Sequence, residues 1–305
     1  MNVVPLKEKY GDRLLDHEVV RQHLSIAVGG VADYYLEVFT INELIETVNY
    51  CQENDILFRV IGSGSMILIS DYGYPGIIIK NSSSTISILP GSNKIIVDSG
   101  VLLPRLITYL VNKNIGGLEF LTGEKGTIGG AIYNNKQGYF LDHNNEKKSI
   151  NSYLKKITIL SPRGEALSRS AIWLKSEDSF TKIKNQFEKN IILTAIFQLY
   201  QSRQEDLVRK MNEINKPRKW ENIVSGDIFC DYTGKNANEI IKKAKINKIK
   251  EKNIILNPDY PNRLMLKQKD IIANDVRMFI EKLRQAIFDN TDIMLEENIE
   301  YLGQW

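Results

Sequence analysis

Two short stretches place bare backbone where a ligand could be met. The first, "IGSGS", supplies Gly62, Ser63, Gly64 and Ser65 directly after the apolar run "LFRV". The second, "GTIGGA", supplies Gly126, Thr127, Gly129, Gly130 and Ala131. Glycine lets N–H groups approach a ligand closely and adopts positive φ, so a glycine-rich turn beside a strand or helix end can cradle a phosphate. One such turn is also what a tight structural turn looks like; two within one α/β segment point to a diphosphate held between loops. Neither stretch has the GxGxxG spacing of a dinucleotide-binding strand-turn-helix or the GxxxxGK[ST] of a phosphate loop, so a different phosphate-binding fold is expected. Other reactive side chains are sparse. His17, His23 and His143 lie apart with no partner motif, which reads as surface or turn positions, and no metal site is expected.

The elements that must position these turns can be read from apolar periodicity. "ADYYLEV" predicts a strand, "INELIETVNYCQEND" a helix and "LFRVIGSGS" a second strand running into the first glycine turn: a β-α-β unit. "GIIIKN", "TISILPG" and "KIIVDSG" predict short strands, "LLPRLITYLVNKN" a helix, and "LKKITILSPRGEAL" a hairpin around Pro162, Arg163 and Gly164. "NIILTAIFQLY" predicts one more buried strand. Beyond Tyr200 the chain becomes helical and lysine-rich, with "SRQEDLVRKMNEINK" and "NDVRMFIEKLRQAIF" as amphipathic helices and a domain boundary near residue 200. "NEIIKKAKINKIKEKN" carries apolar residues at helical spacing, so its lysines read as a solvated face.

Composition sets the bounds. The chain has 305 residues, 43% hydrophobic and 25% charged, with 40 basic against 37 acidic residues and a formal charge of +3. That is an ordinary globular composition with room for two or three compact units, and too balanced to imply a nucleic-acid partner. The basic "KPRKW" beside a tryptophan is too short to change this. Two cysteines, Cys51 and Cys230, are too few for a disulfide framework, which suggests a reducing compartment. No apolar stretch reaches the roughly 18 residues of a membrane span and the N-terminus lacks a signal-peptide core, so a cytoplasmic location is expected.

Three segments, "VGGVADYYLEV", "VIGSGSMILI" and "GLEFLTGEKGTIGGAIYNN", resemble in order and spacing the flavin-binding segments of the UDP-N-acetylenolpyruvoylglucosamine reductase family. The resemblance runs from about residue 20 to about residue 303. It implies an α+β FAD-binding fold of the reductase/vanillyl-alcohol oxidase type with a smaller C-terminal substrate-type domain. It also implies FAD as cofactor, NADPH as reductant if the chain is active, and a place in peptidoglycan precursor synthesis. Carried over by motif, Gly62, Ser63, Gly64 and Ser65 meet the FAD pyrophosphate, Gly126, Thr127, Gly129, Gly130 and Ala131 pack around the flavin, and Asn135 matches the asparagine after the family's GGA. Met66 stands where the family's GGGSN ends in asparagine, and Lys125 where it has proline.

The resemblance also implies where catalysis would sit, and there this chain departs. In the family's G-S-x-F turn a serine protonates the enol; here "SGDIFCD" keeps Gly226 and Phe229 but puts Asp227 at the serine. In "IMLEENIEYLG" the first glutamate of the C-terminal motif is matched by Glu296 and the second by Asn298. The arginine segment is matched by "KSEDSF", with Glu177 at the arginine. In the substrate half Lys252 and Asn253 replace two glycines, Tyr260 a histidine and Arg263 a phenylalanine, while Asn262 keeps the family's asparagine.

The expectation is therefore an FAD-binding domain over residues 1–200, in subdomains 1–85 and 86–200, a substrate-type domain over 201–290, and a C-terminal strand over 291–305 returning to the first. With no catalytic residue intact, a flavin-binding pseudoenzyme with a possible protein partner in cell-wall synthesis is expected. The alternatives are an active reductase using Asp227 and a flavin-free structural protein.

Overall fold

The computed structural model describes residues 2–134, 137–141, 147–172, 190–215, 223–233, 235–246, 249, 251, 253–267 and 270–305. The chain divides into two compact units whose segments interleave. The first comprises Met1–Leu14, Leu36–Gly62 and Ile78–Arg218; the second comprises Leu15–Tyr35, Ser63–Ile77 and Lys219–Trp305.

The first unit is built on a five-stranded antiparallel sheet in the order Ala166–Ser170, Leu154–Leu160, Ile191–Gln198, Lys94–Asp98, Ile86–Ile88. The hairpin expected at Pro162–Gly164 is present: Gly164 takes φ +78 and donates to the Ser161 carbonyl at 2.9 Å. Against this sheet packs the helix Leu103–Asn112, whose Leu103, Leu106, Ile107, Leu110 and Val111 recur at one helical face and are all buried. Pro104 at its first turn gives up no hydrogen bond, because that N–H would have had no intrahelical partner. The expected helix at residue 41 is Ile41–Glu53, started by Thr40, whose hydroxyl accepts the Glu43 N–H at 3.1 Å.

A buried carboxylate braces the segment leading to the second glycine turn. Glu119, 8% exposed, accepts from the Gly117 N–H at 2.6 Å, the Tyr200 hydroxyl at 2.7 Å and the Lys210 ammonium at 3.3 Å. Burial alone pushes its pKa up, but these donors outweigh burial and hold it below the ordinary carboxylate value. The stabilisation is therefore complete above the unfolded pKa of about 4.3 and is lost as pH falls through the lower folded value. Glu119→Gln should cost about 1.5–3 kcal/mol at pH 7. Urea unfolding of both proteins checks this, and the gap should narrow markedly at pH 3.

The second unit holds the helices Ala237–Lys243 and Ala273–Thr291 and two strand pairs. Ile254–Leu256 pairs antiparallel with Leu264–Leu266, and the C-terminal Glu300–Leu302 pairs in parallel with Ile67–Ile69, the strand that follows the first glycine turn. The long helix is capped from a distance, the Asp71 carboxylate accepting the Ala273 and Asn274 N–H groups at 2.8 Å each. The lysine-rich helix is shorter than its periodicity predicts. It ends at Lys243, and Lys245 turns to φ +52, which no continuing helix tolerates. No helix among the described residues is long and apolar enough to cross a membrane.

Candidate functional site: the glycine turns and the Asp227 turn

The second glycine stretch is the start of a helix rather than the turn expected. Ile128–Tyr133 is helical, and Thr127 is its N-cap, its hydroxyl accepting the Gly130 N–H at 3.3 Å. Two outside carbonyls take the neighbouring donors: Ile128 donates to Val101 at 2.9 Å and Gly129 to Ser99 at 2.8 Å. Close approach explains two of the glycines. A Cβ at Gly62 would overlap the Thr127 hydroxyl, and one at Gly129 would stand 3.0 Å from Ser99 Cβ. Gly130 is different: it is exposed, and its nearest neighbour to an added Cβ is Thr127 Oγ1 at 3.6 Å, an ordinary contact. Among the described residues nothing packs closely enough to demand glycine there, although alanine would favour the helix. Ala131 is buried at 5% exposure. Asn135 and Glu177 lie outside the described residues, as does Lys252.

The first turn continues into the second unit as Ser63, Gly64 and Ser65. Gly64 sits at φ +64, and a Cβ there would overlap the Leu24 side chain. Met66 lays its thioether against Gly226, where any Cβ would collide with Met66 Sδ. The Gly226 N–H donates to the Ser65 carbonyl at 2.9 Å and the Glu300 N–H to the Met66 carbonyl at 2.9 Å. The first glycine turn and the Gly226–Asp227 turn are thereby fastened to each other.

Asp227 and Asn298 come together. Asn298 Nδ2 donates to the Asp227 carbonyl at 3.1 Å, and the Asn298 N–H donates to the Ile228 carbonyl at 2.7 Å. The Asp227 carboxylate accepts from Arg263 Nε at 3.1 Å, and the Arg263 side chain is 2% exposed against 25% for Asp227. Arg263 is among the largest fully buried side chains of the chain. Asn262, beside it, clasps the Phe229 peptide from both sides: its Oδ1 accepts the Phe229 N–H at 2.9 Å and its Nδ2 donates to the Phe229 carbonyl at 2.8 Å. Its amide is thus engaged with the main chain of the Asp227 turn. Tyr260 donates its N–H to Asn257 Oδ1 at 2.8 Å, and Asn253 adopts φ +64. Cys230 is half-buried and its N–H donates to the Glu296 carbonyl at 2.9 Å. His23 stacks on Tyr35 with ring centroids 3.9 Å apart and bonds Glu18 at 2.8 Å.

Sequence reasoning named Arg263 only as a replaced phenylalanine and missed its partner. The signal was present as charge: an aspartate in place of serine and an arginine in place of phenylalanine are opposite changes, as a compensating pair would be.

Residues 32–169 match the FAD binding domain family. The α+β fold is shared with a solved structure: over 95% of this chain and 99% of the other it matches the crystal structure of UDP-N-acetylenolpyruvylglucosamine reductase from Thermus caldophilus with a TM-score of 0.73 at 20% identity. The UDP-N-acetylenolpyruvoylglucosamine reductase of Carboxydothermus hydrogenoformans is 28% identical over the whole of both chains, and that of Lachnoclostridium phytofermentans 25% identical over 96% of this chain and 94% of its own. The similarity to these reductases runs over nearly the whole of both chains.

Proposed function

We propose that this protein is a flavin-binding relative of the peptidoglycan-precursor reductases that holds FAD and does not carry out the family's reduction. The cofactor half rests on the FAD binding domain match and on Gly130, a helical glycine that packing among the described residues does not require. Gly62–Ser65 would meet the diphosphate and Gly126–Ala131, with Asn135 following, would pack around the flavin. FAD, when bound, supplies a hydride carrier between NADPH and a substrate. The observation that carries the second half is the Arg263–Asp227 ion pair. A permanently charged guanidinium beside a carboxyl favours the carboxylate form, which has no proton to give an enolate. Asn298 cannot transfer a proton either. A role through a protein partner in cell-wall synthesis, in the cytoplasm, is the corresponding place for such a chain.

The test of the cofactor half is a titration with FAD followed by desalting and an absorbance spectrum. The wild type is expected to retain flavin. Gly130→Ala should stabilise the apoprotein by up to about 1 kcal/mol of helix propensity, raising its melting temperature, while weakening FAD binding. A wild type that stays colourless in excess FAD would leave only a flavin-free structural protein.

A further inference from the structure

The Ser63 carbonyl at the heart of the first glycine turn is held by one residue twice. Ser25 donates to it from its N–H at 2.9 Å and from its hydroxyl at 2.8 Å. In a trans peptide the C=O and the following N–H point to opposite sides, so pinning Ser63 O turns the Gly64 N–H the other way. No cis peptide occurs among the described residues. Gly64 is buried, and among the described residues its N–H has no acceptor. Buried backbone donors are rarely left so. The adjacent Ser65, 9% exposed, carries a hydroxyl that likewise has no partner among the described residues. Its own carbonyl is fixed by the Gly226 N–H at 2.9 Å, so the Ser63 and Ser65 carbonyls are engaged while the Gly64 N–H stays available.

We infer that Ser25 is a positioning residue for the flavin diphosphate: by clasping Ser63 O it presents the Gly64 N–H to a phosphate oxygen. This rests on the FAD-binding reading above. Leu24 adds the steric half, filling the space where a side chain at residue 64 would go. Anions prefer donors that are already oriented, because no free energy is then spent on ordering them at binding.

The experiment compares full-length wild type, Ser25→Ala and Ser25→Thr by FAD titration, by the ³¹P spectrum of the bound cofactor, and by melting of the apoprotein. Ser25→Ala removes one of two neutral hydrogen bonds, so FAD affinity should fall about three- to tenfold. The diphosphate resonances should move, the apoprotein should melt within about 2 °C of wild type, and Ser25→Thr should restore both affinity and resonances. Ser25→Cys, close in shape and a weak donor, repeats the test if the alanine variant does not fold. An unchanged affinity and unmoved resonances in Ser25→Ala overturn the inference, as does a loss that threonine does not repair. If wild type itself binds no FAD, the cofactor reading fails and this one with it, an outcome visible before any variant is made.

Discussion

Asp227→Asn is expected to lower the stability of the protein by about 2 kcal/mol, and Asp227→Ala by about 3 kcal/mol. The reason is the partner left behind. Arg263 is 2% exposed, and removing the Asp227 carboxylate takes away a charged acceptor at 3.1 Å while the guanidinium stays buried. Breaking a buried pair on one side typically costs about 3–5 kcal/mol. Asp227 retains 25% exposure, so water screens part of the pair and the lower end applies. Asparagine keeps a neutral oxygen for Arg263 Nε and should lose less than alanine. Thermal melting and urea unfolding measure both changes. The double variant Asp227→Ala with Arg263→Met should recover most of the loss, since it removes the charge together with its counter-charge. Melting unchanged in Asp227→Asn would mean that the carboxylate is not committed to Arg263, and the aspartate would return as a candidate acid.

That pair is also where reading the sequence stopped short. Features set by neighbours along the chain were legible: the apolar face Leu103–Leu106–Ile107–Leu110–Val111, the helix Ile41–Glu53, and the Gly164 hairpin follow from periodicity and turn chemistry. Features set by distant partners were not. The glycines of "GTIGGA" argue against helix by propensity, yet Ser99 and Val101 accept the first N–H groups and Thr127 caps the rest, so tertiary bonds override it. The lysine-rich helix stops at Lys243 although the apolar spacing continues, because Lys245 enters the left-handed region. The interleaving of the two units depends on contacts between segments as far apart as Ile67–Ile69 and Glu300–Leu302. Asp227 and Arg263 lie 36 residues apart, and only their opposite departures from the family's residues hinted that they meet.

Mixed with FAD, NADPH and UDP-N-acetylenolpyruvoylglucosamine, the wild type is expected to consume NADPH at a substrate-dependent rate at least about a hundredfold below the ordinary enzyme rate of roughly 1 per second or faster. Losing one well-placed proton donor or charge stabiliser costs on the order of a hundredfold. On the proposed reading Asp227, paired with Arg263, stands at the serine position, and Asn298, bonded to the Asp227 main chain, at the second glutamate position. Restoring the family's residues with Glu177→Arg, Asp227→Ser and Asn298→Glu should not bring the rate back. Serine at 227 would take the carboxylate away from the buried Arg263 guanidinium, and glutamate at 298 would give up the amide that donates to the Asp227 carbonyl at 3.1 Å. Adding Arg263→Phe removes the buried cation together with the carboxylate that faced it, so the fourfold variant should fold better than the threefold one even if neither turns over. The decisive measurement is NADPH absorbance with and without substrate for wild type and both variants. Turnover near 1 per second in wild type would make Asp227 a working acid despite Arg263 and would replace the flavin-holding reading with that of an active reductase.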